Sequence, residues 1–213
     1  IRTLDIGAEK TLNGGRHGSF WSPNPALGLR AIRYCLKRPQ VFMDQLRAIL
    51  RAAAFGNVRI LFPMISTYFE ICEASRMLDK AAESLEKEGL PYKRDIEIGA
   101  MIEVPSAAYI ISELARRVDF FSIGTNDLTQ YTMAADRTNP LLIDQYPVLS
   151  PPIINLIAQT LINAKAANVR VSICGELASN PKAAALLVGL GIDEFSVNLA
   201  SLLEVKEELS RWS

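Results

Sequence analysis

Short apolar runs alternate along this chain with longer stretches in which apolar residues recur at helical spacing. Val58–Phe62 (VRILF), Ile96–Ile102 (IEIGAMI), Phe120–Ile123 (FFSI) and Val169–Ile173 (VRVSI) are largely apolar over four to seven residues and are bounded by glycine, proline or charged positions. Runs of this length, nearly continuous rather than strictly alternating, predict strands buried on both faces, as in a parallel sheet. Ile1–Ile6 and Glu194–Val197 extend the series to six predicted strands. Between them the pattern changes to a helical period. Helices are predicted from Asn24-Pro25 through Arg38 and from Val41 to Phe55. A long one starts from a Ser66 or Thr67 cap and runs to Glu88, and another covers Ser106–Arg117. The later ones begin at Leu128, at Ser150-Pro151-Pro152 and at Asn180-Pro181, and the last runs to the chain end. The polar, glycine-rich segment Thr11–Pro23 predicts a loop.

Strand followed by helix, repeated throughout, predicts an α/β fold with a parallel sheet. Two architectures fit, a doubly wound open sheet or most of a (β/α)8 TIM barrel. No Gly-x-Gly-x-x-Gly follows the first predicted strand, which lowers the dinucleotide-binding reading. Polar groups at the ends of several strands favour the barrel. Six of its eight strands are then present, and the other two are expected before Ile1, since an open barrel would leave raw sheet edges. All 213 residues are expected to belong to this one domain.

Asp119–Asn139 (DFFSIGTNDLTQYTMAADRTN) displays the pattern most fully. An apolar strand ends at Gly124, Thr125-Asn126-Asp127 follow, then a helix, then Asp136-Arg137. Glycine lets the backbone turn sharply, and free N–H groups at a helix start favour an anion. Taken alone, Asn126 is equally a helix cap and Asp127 a partner for the helix dipole.

Composition narrows the chemistry. With 23 basic and 23 acidic residues the net charge is zero, so no general nucleic-acid surface is implied and anion recognition must be local. Hydrophobic residues make up 49%, as in ordinary globular proteins. The three cysteines, Cys35, Cys72 and Cys174, form no Cys-x-x-Cys pair, which argues against a disulfide framework or a structural zinc site. No apolar stretch is long enough to span a bilayer and no signal peptide is evident, so a cytoplasmic location is expected.

The residues just past the predicted strands are Arg2, Glu103, Asn126, Asp127, Cys174 and Glu176, with Arg30 and Arg137 in segments that a barrel places over the same face. Glu103 and Asp127 suit a magnesium ion, which takes a few carboxylates plus water and substrate oxygens. The arginines suit a phosphate or carboxylate, which guanidinium binds bidentately. A thiol opposite can give or take a proton. Singly, each residue has a plainer reading: ion pairs for the acids, and a small buried hydrophobe for Cys174. As a set they point to a site.

The motifs RTLDIG, NPALGLRAIR, ILFPMI, IEIGAMIEVPSAA, DFFSIGTNDLTQYTMAADRTN, CGELAS and GIDEFSVN resemble, in order and over nearly the whole chain, the Enzyme I family of the bacterial phosphoenolpyruvate-dependent sugar phosphotransferase system. The resemblance implies the phosphoenolpyruvate-binding barrel of that family, whose phosphohistidine and carrier-protein-binding parts would lie outside these residues. It implies Glu103 and Asp127 as ligands of Mg2+ (or Mn2+), and Arg2, Arg30, Asn126 and Arg137 as groups that hold phosphoenolpyruvate. It implies Cys174 as proton donor to the enolate, a phosphocarrier protein as partner, and a homodimer. Pyruvate phosphate dikinase and phosphoenolpyruvate synthase share the architecture and give the alternative, as does a non-catalytic sensor of phosphoenolpyruvate. Departures from the family pattern are GAEK at residues 7–10, where Gly-Gly-Asp-Lys is usual, Leu29 in place of a tryptophan before Arg30, and the loop Gly14–Trp21. The lone histidine, His17, sits in that glycine-rich loop and resembles no phosphoryl acceptor; it reads as a solvated residue.

Overall fold

A computed structural model of the chain describes residues 1–5, 24–142 and 145–211. The loop predicted over Thr11–Pro23, with His17, and the GAEK segment lie outside the described residues. The chain divides into two compact units, Ile1–Ala100 and Met101–Ser213.

In the first unit, β1 (Arg59–Phe62) pairs in parallel with the start of β2 (Glu97–Ile102), in the register Arg59↔Glu97 to Phe62↔Ala100. The strand predicted over Ile1–Ile6 is reduced, among the described residues, to a parallel bridge from Arg2 to Leu61. Thr3 N–H donates to Leu61 O at 3.0 Å, and Leu61 N–H donates to Ile1 O at 2.9 Å. Helix α1 (Ala31–Lys37) leads into α2 (Pro39–Ala53), and α3 (Tyr68–Lys87) follows β1. On α2, Phe42, Leu46, Ile49, Leu50 and Ala53 are buried, the stripe that the apolar spacing predicts. Phe42 meets Phe62 of β1 edge-on, with ring centroids 6.0 Å apart. Such a pair contributes about 0.5–1.5 kcal/mol beyond its buried area. Thr67, not Ser66, caps α3. Its side chain accepts from Glu70 N–H, while the Glu70 carboxylate accepts from the N–H groups of Ser66 and Thr67 at 2.7 and 2.9 Å.

The helix predicted from Asn24 through Arg38 is interrupted. A 3-10 turn, Pro25–Leu27, ends at Gly28, and Arg30 is extended (φ −137°, ψ 164°) before α1 begins at Ala31, itself at φ 50°. The break frees Arg30 to reach Asp5, which is why an uninterrupted helix does not form there.

In the second unit, β3 (Phe120–Gly124), β4 (Arg170–Cys174) and β5 (Glu194–Phe195) pair in parallel in chain order. Helices α4 (Pro105–Tyr109), α5 (Ile111–Leu114), α6 (Thr125–Met133), α7 (Pro151–Ala166), α8 (Pro181–Leu190) and α9 (Leu202–Ser210) complete it. Phe121, Ile123, Ile153, Ile157, Ile173 and Leu187 are fully buried and supply its core. The single helix predicted over Ser106–Arg117 is two short ones, broken at Ile110 (φ −119°, ψ 28°). Ala107, Ala108, Ile111 and Leu114 stay buried across the break, so helical spacing persists where the backbone does not. The last predicted strand shortens to two residues.

The parallel α/β class therefore agrees with the sequence reading. Five strands and one bridge are present among the described residues, so these do not by themselves assemble eight barrel strands. No helix among the described residues is long and apolar enough to cross a membrane.

Candidate active site

The register of β3 on β4 sets Gly124 beside Cys174, so two strands end at the same level in the second unit. From Gly124 the chain enters α6 directly: Gly124 is the N-cap residue, and Asn126 and Asp127 occupy the first helical turn. The helix thus starts three residues before the predicted Leu128. Asn126 is therefore not the helix cap. Its side chain instead ties the two strand ends together, with Oδ1 accepting from Glu176 N–H at 3.1 Å and Nδ2 donating to the Glu176 carboxylate at 3.5 Å. Thr125 Oγ1 donates to Cys174 O at 3.0 Å.

Between these residues lies Gly175 at φ 94°. A Cβ there would fall 2.5 Å from Thr125 Oγ1 and 2.9 Å from Asn126 Oδ1. Only glycine lets the turn close this far. Gly175→Ala is expected to lower unfolding stability by about 1–3 kcal/mol, through an unfavourable φ and overpacking. Gly189→Ala in α8, where nothing lies within 4 Å, serves as a control expected to be neutral or mildly stabilising. Denaturant titration of both variants measures this; equal stability would mean the Gly175 turn can relax freely.

Both candidate acids gather at the start of α6. Glu103 is 2% exposed, and a Cβ on Gly124 would lie 2.8 Å from its Oε2 and 2.9 Å from its Cβ. The absence of a side chain at position 124 is thus what lets the Glu103 carboxyl pack there. Asp127, 7% exposed, sits in the first turn, where the helix dipole favours a negative charge. Its Oδ1 is 3.5 Å from Arg137 Nε, an ion-pair distance. Two carboxylates buried together at a helix start are a suitable donor set for a hard divalent cation whose remaining positions go to water and substrate oxygens. Among the described residues no group of three or more His, Cys, Asp and Glu forms a closed protein cage.

Cys174 is half-buried. Its thiol donates to Ile123 O at 3.4 Å and accepts from Ser122 Oγ at 3.8 Å, so the proton on Sγ has a defined direction. Cys35 contrasts with it. Buried in the first unit, with its thiol 4.0 Å from Leu4 O, it is pushed up to about 12 by burial and stays protonated at neutral pH.

A cavity of about 300 Å3 lies beside α6, lined among others by Asn126, Thr129, Gln130, Arg137, Tyr146 and Glu176; Glu103, Asp127 and Cys174 do not line it. Arg2 and Arg30 belong to the first unit. There both converge on Asp5: Arg30 donates to Asp5 Oδ1 at 3.0 and 3.3 Å, and Arg2 lies 3.7 Å from Oδ2. Asp5 thus holds these two guanidinium groups toward one point. The second unit accordingly places Glu103, Asn126, Asp127 and Cys174 at strand ends and helix starts, with Arg137 reaching Asp127 from beyond α6, and the first unit brings Arg2 and Arg30 to Asp5. Sequence reading passed over Ser122, Thr125 and Gln130. Ser122 stands as a polar residue inside an apolar strand run, and Gln130 lies three residues after Asp127 on the same helix face; both are signals visible in the sequence.

Comparison with known proteins bears on what this arrangement serves. The family described as PEP-utilising enzyme, PEP-binding domain, matches residues 1–213, the whole chain. The chain belongs to that family. Within it, the chain is 45% identical over 209 residues to a phosphoenolpyruvate-protein phosphotransferase of Cupriavidus necator, covering 98% of this chain and 36% of that protein. It is 46% identical over 213 residues to the protein of the same name from Bacillus subtilis, covering 100% of this chain and 37% of the relative. The chain thus spans little more than a third of these relatives' length. Among solved structures, a malate synthase from Haloferax volcanii superposes with a TM-score of 0.61 at 14% identity, over 98% of this chain and 53% of that one. A citrate lyase from Burkholderia xenovorans gives 0.57 at 18% identity, over 78% and 53%. At such identities the PEP-binding domain shares with them a TIM-barrel-like fold, and the likeness goes no further.

Proposed function

We propose that these 213 residues are the phosphoenolpyruvate-binding domain of a phosphoenolpyruvate-protein phosphotransferase. The phosphoryl group passes from phosphoenolpyruvate to a histidine on another domain and then to a phosphocarrier protein, and pyruvate is released. The observation that supports this reading best is the gathering of two buried carboxylates, an asparagine and a thiol at neighbouring strand ends, with an arginine paired to one of the acids. The names of the relatives favour it over a dikinase, a synthase or a sensor.

In this account Glu103 and Asp127 hold Mg2+, for which Mn2+ can substitute. The ion, when bound, offsets negative charge on the phosphate and enolate oxygens. Arg137 and Asn126 bind the substrate through charge-assisted hydrogen bonds, and Arg2 and Arg30 are proposed as further groups that hold phosphoenolpyruvate. The bridging P–O bond breaks as the new P–N bond to histidine forms, and its electron pair stays on enolpyruvate. Cys174 then gives its Sγ proton to the methylene carbon, which yields pyruvate, and the thiolate regains a proton from solvent. The domain is proposed to work in the cytoplasm, within a homodimer.

Intact protein incubated with radiolabelled phosphoenolpyruvate and magnesium should carry acid-labile label on a histidine outside residues 1–213, and these residues alone should take up none. Stoichiometric label on His17 would overturn the assignment.

A further inference from the structure

Arg137 follows the end of α6 by only a few residues, yet its guanidinium returns to Asp127 at the start of that helix. A chain leaving a helix does not double back unless something fixes it. Here the helix ends at Ala134 in the left-handed conformation (φ 51°), an unfavourable one for a residue with a Cβ. Three hydrogen bonds hold the reversal, and all of them go to Gln130. Its carbonyl accepts from the N–H groups of Ala134 and, at 3.1 Å, Ala135. Its side-chain Oε1 accepts from the backbone N–H of Arg137 at 3.1 Å.

Gln130 is 9% exposed, and a buried amide in a helix costs stability unless it is hydrogen-bonded. The bond to Arg137 N–H offsets that cost, and it also fixes which end of the amide is oxygen. Gln130 and Arg137 line the same cavity. From this geometry we infer that Gln130 is a positioning residue: it sets the backbone of Arg137 so that the guanidinium reaches Asp127 at the edge of the cavity. The inference rests on the proposed role of Arg137 in binding phosphoenolpyruvate.

The test is a double-mutant cycle in the intact protein, read as phosphoenolpyruvate affinity in the presence of magnesium. Arg137→Ala should weaken binding by about tenfold or more, the loss of a charge-assisted contact. Gln130→Met keeps the side-chain length without the acceptor, and should weaken binding about three- to tenfold while kcat changes less than KM. In the Arg137→Ala background the same substitution should cost less than about twofold, because nothing is left for Gln130 to position. A merely structural glutamine would give equal losses in both backgrounds, and that result, or unchanged binding in Gln130→Met, overturns the inference. Unchanged binding in Arg137→Ala alone would instead refute the proposed substrate site. Should Gln130→Met fail to fold, amide hydrogen exchange in the wild-type protein decides. The Arg137 N–H is expected to exchange well below the free-peptide rate, and exchange at that rate would overturn the inference.

Discussion

Cys174→Ala, in the intact protein, is expected to bind phosphoenolpyruvate with magnesium within about twofold of wild type. It should nevertheless lose enzyme-catalysed exchange of pyruvate methyl protons with deuterated water by about 100- to 10,000-fold, the usual contribution of a positioned acid or base. The first expectation follows from ligand preference: magnesium prefers oxygen, so removing sulfur takes no ligand away. The second follows from the proposed role of the thiol. Sγ sits at the end of β4 in register with Gly124, and its hydrogen bond to Ile123 O must break before the proton passes to the enolate. Cys35 lies in the other unit with its thiol protonated by burial, and Cys72 lies within α3. Cys174→Ser sharpens the test, since a hydroxyl keeps the shape but is far too weak an acid for the step. Exchange is the proper readout because enolpyruvate that escapes is protonated by bulk water, so slow turnover persists without the thiol. Exchange at the wild-type rate in either variant would reduce Cys174 to packing.

The strands that the sequence marks best are the short, nearly continuous apolar runs. Val58–Phe62, Ile96–Ile102, Phe120–Ile123 and Val169–Ile173 each correspond to an observed strand within a residue or so at either end. The helix breaks were invisible for a physical reason. At Ile110 the buried positions continue in helical register through the interruption, so periodicity carries no trace of it. At Gly28–Arg30 the break is decided by Arg30 reaching Asp5, a contact 25 residues distant that no local pattern contains. Glycines told more. Gly175 looked like ordinary strand-end punctuation, yet its backbone conformation and its approach to Thr125 are what join the two turns of the site.

For the site, residue type was a better guide than spacing. Carboxylates, arginines and a thiol after buried strands signalled chemistry, because a strand end is where an α/β sheet presents side chains. What could not be read was which groups hold them. Asp5 under Arg2 and Arg30, Glu176 on Asn126, and Gln130 behind Arg137 are identified only by the fold. The helix-cap reading of Asn126 fails because Gly124 takes the cap position, which turns the asparagine side chain toward the β4 turn.

The central claim is that the buried acid pair at the start of α6 makes phosphoenolpyruvate binding depend on a divalent cation. Asp127 is the sharper of the two to remove. Its carboxylate is buried in the first turn of α6, whereas Glu103 is the acid packed directly against Gly124. Asp127→Asn keeps the volume while replacing a carboxylate ligand with a neutral amide. Either change also removes the Arg137 ion pair, in which Asp127 is buried and Arg137 is 46% exposed; water at the guanidinium screens the pair, and asparagine keeps a polar group in place of the carboxylate. The variants should therefore fold while losing about 100-fold or more in magnesium-dependent affinity, since even outer-shell changes at metal sites cost about 10- to 100-fold. The measurement is calorimetric titration of phosphoenolpyruvate into intact wild-type and Asp127→Asn protein, each with magnesium and with a chelator. The account predicts binding by wild type with magnesium and its loss in the other three titrations. Wild-type binding that survives the chelator, or Asp127→Asn binding equal to wild type with magnesium, would contradict it.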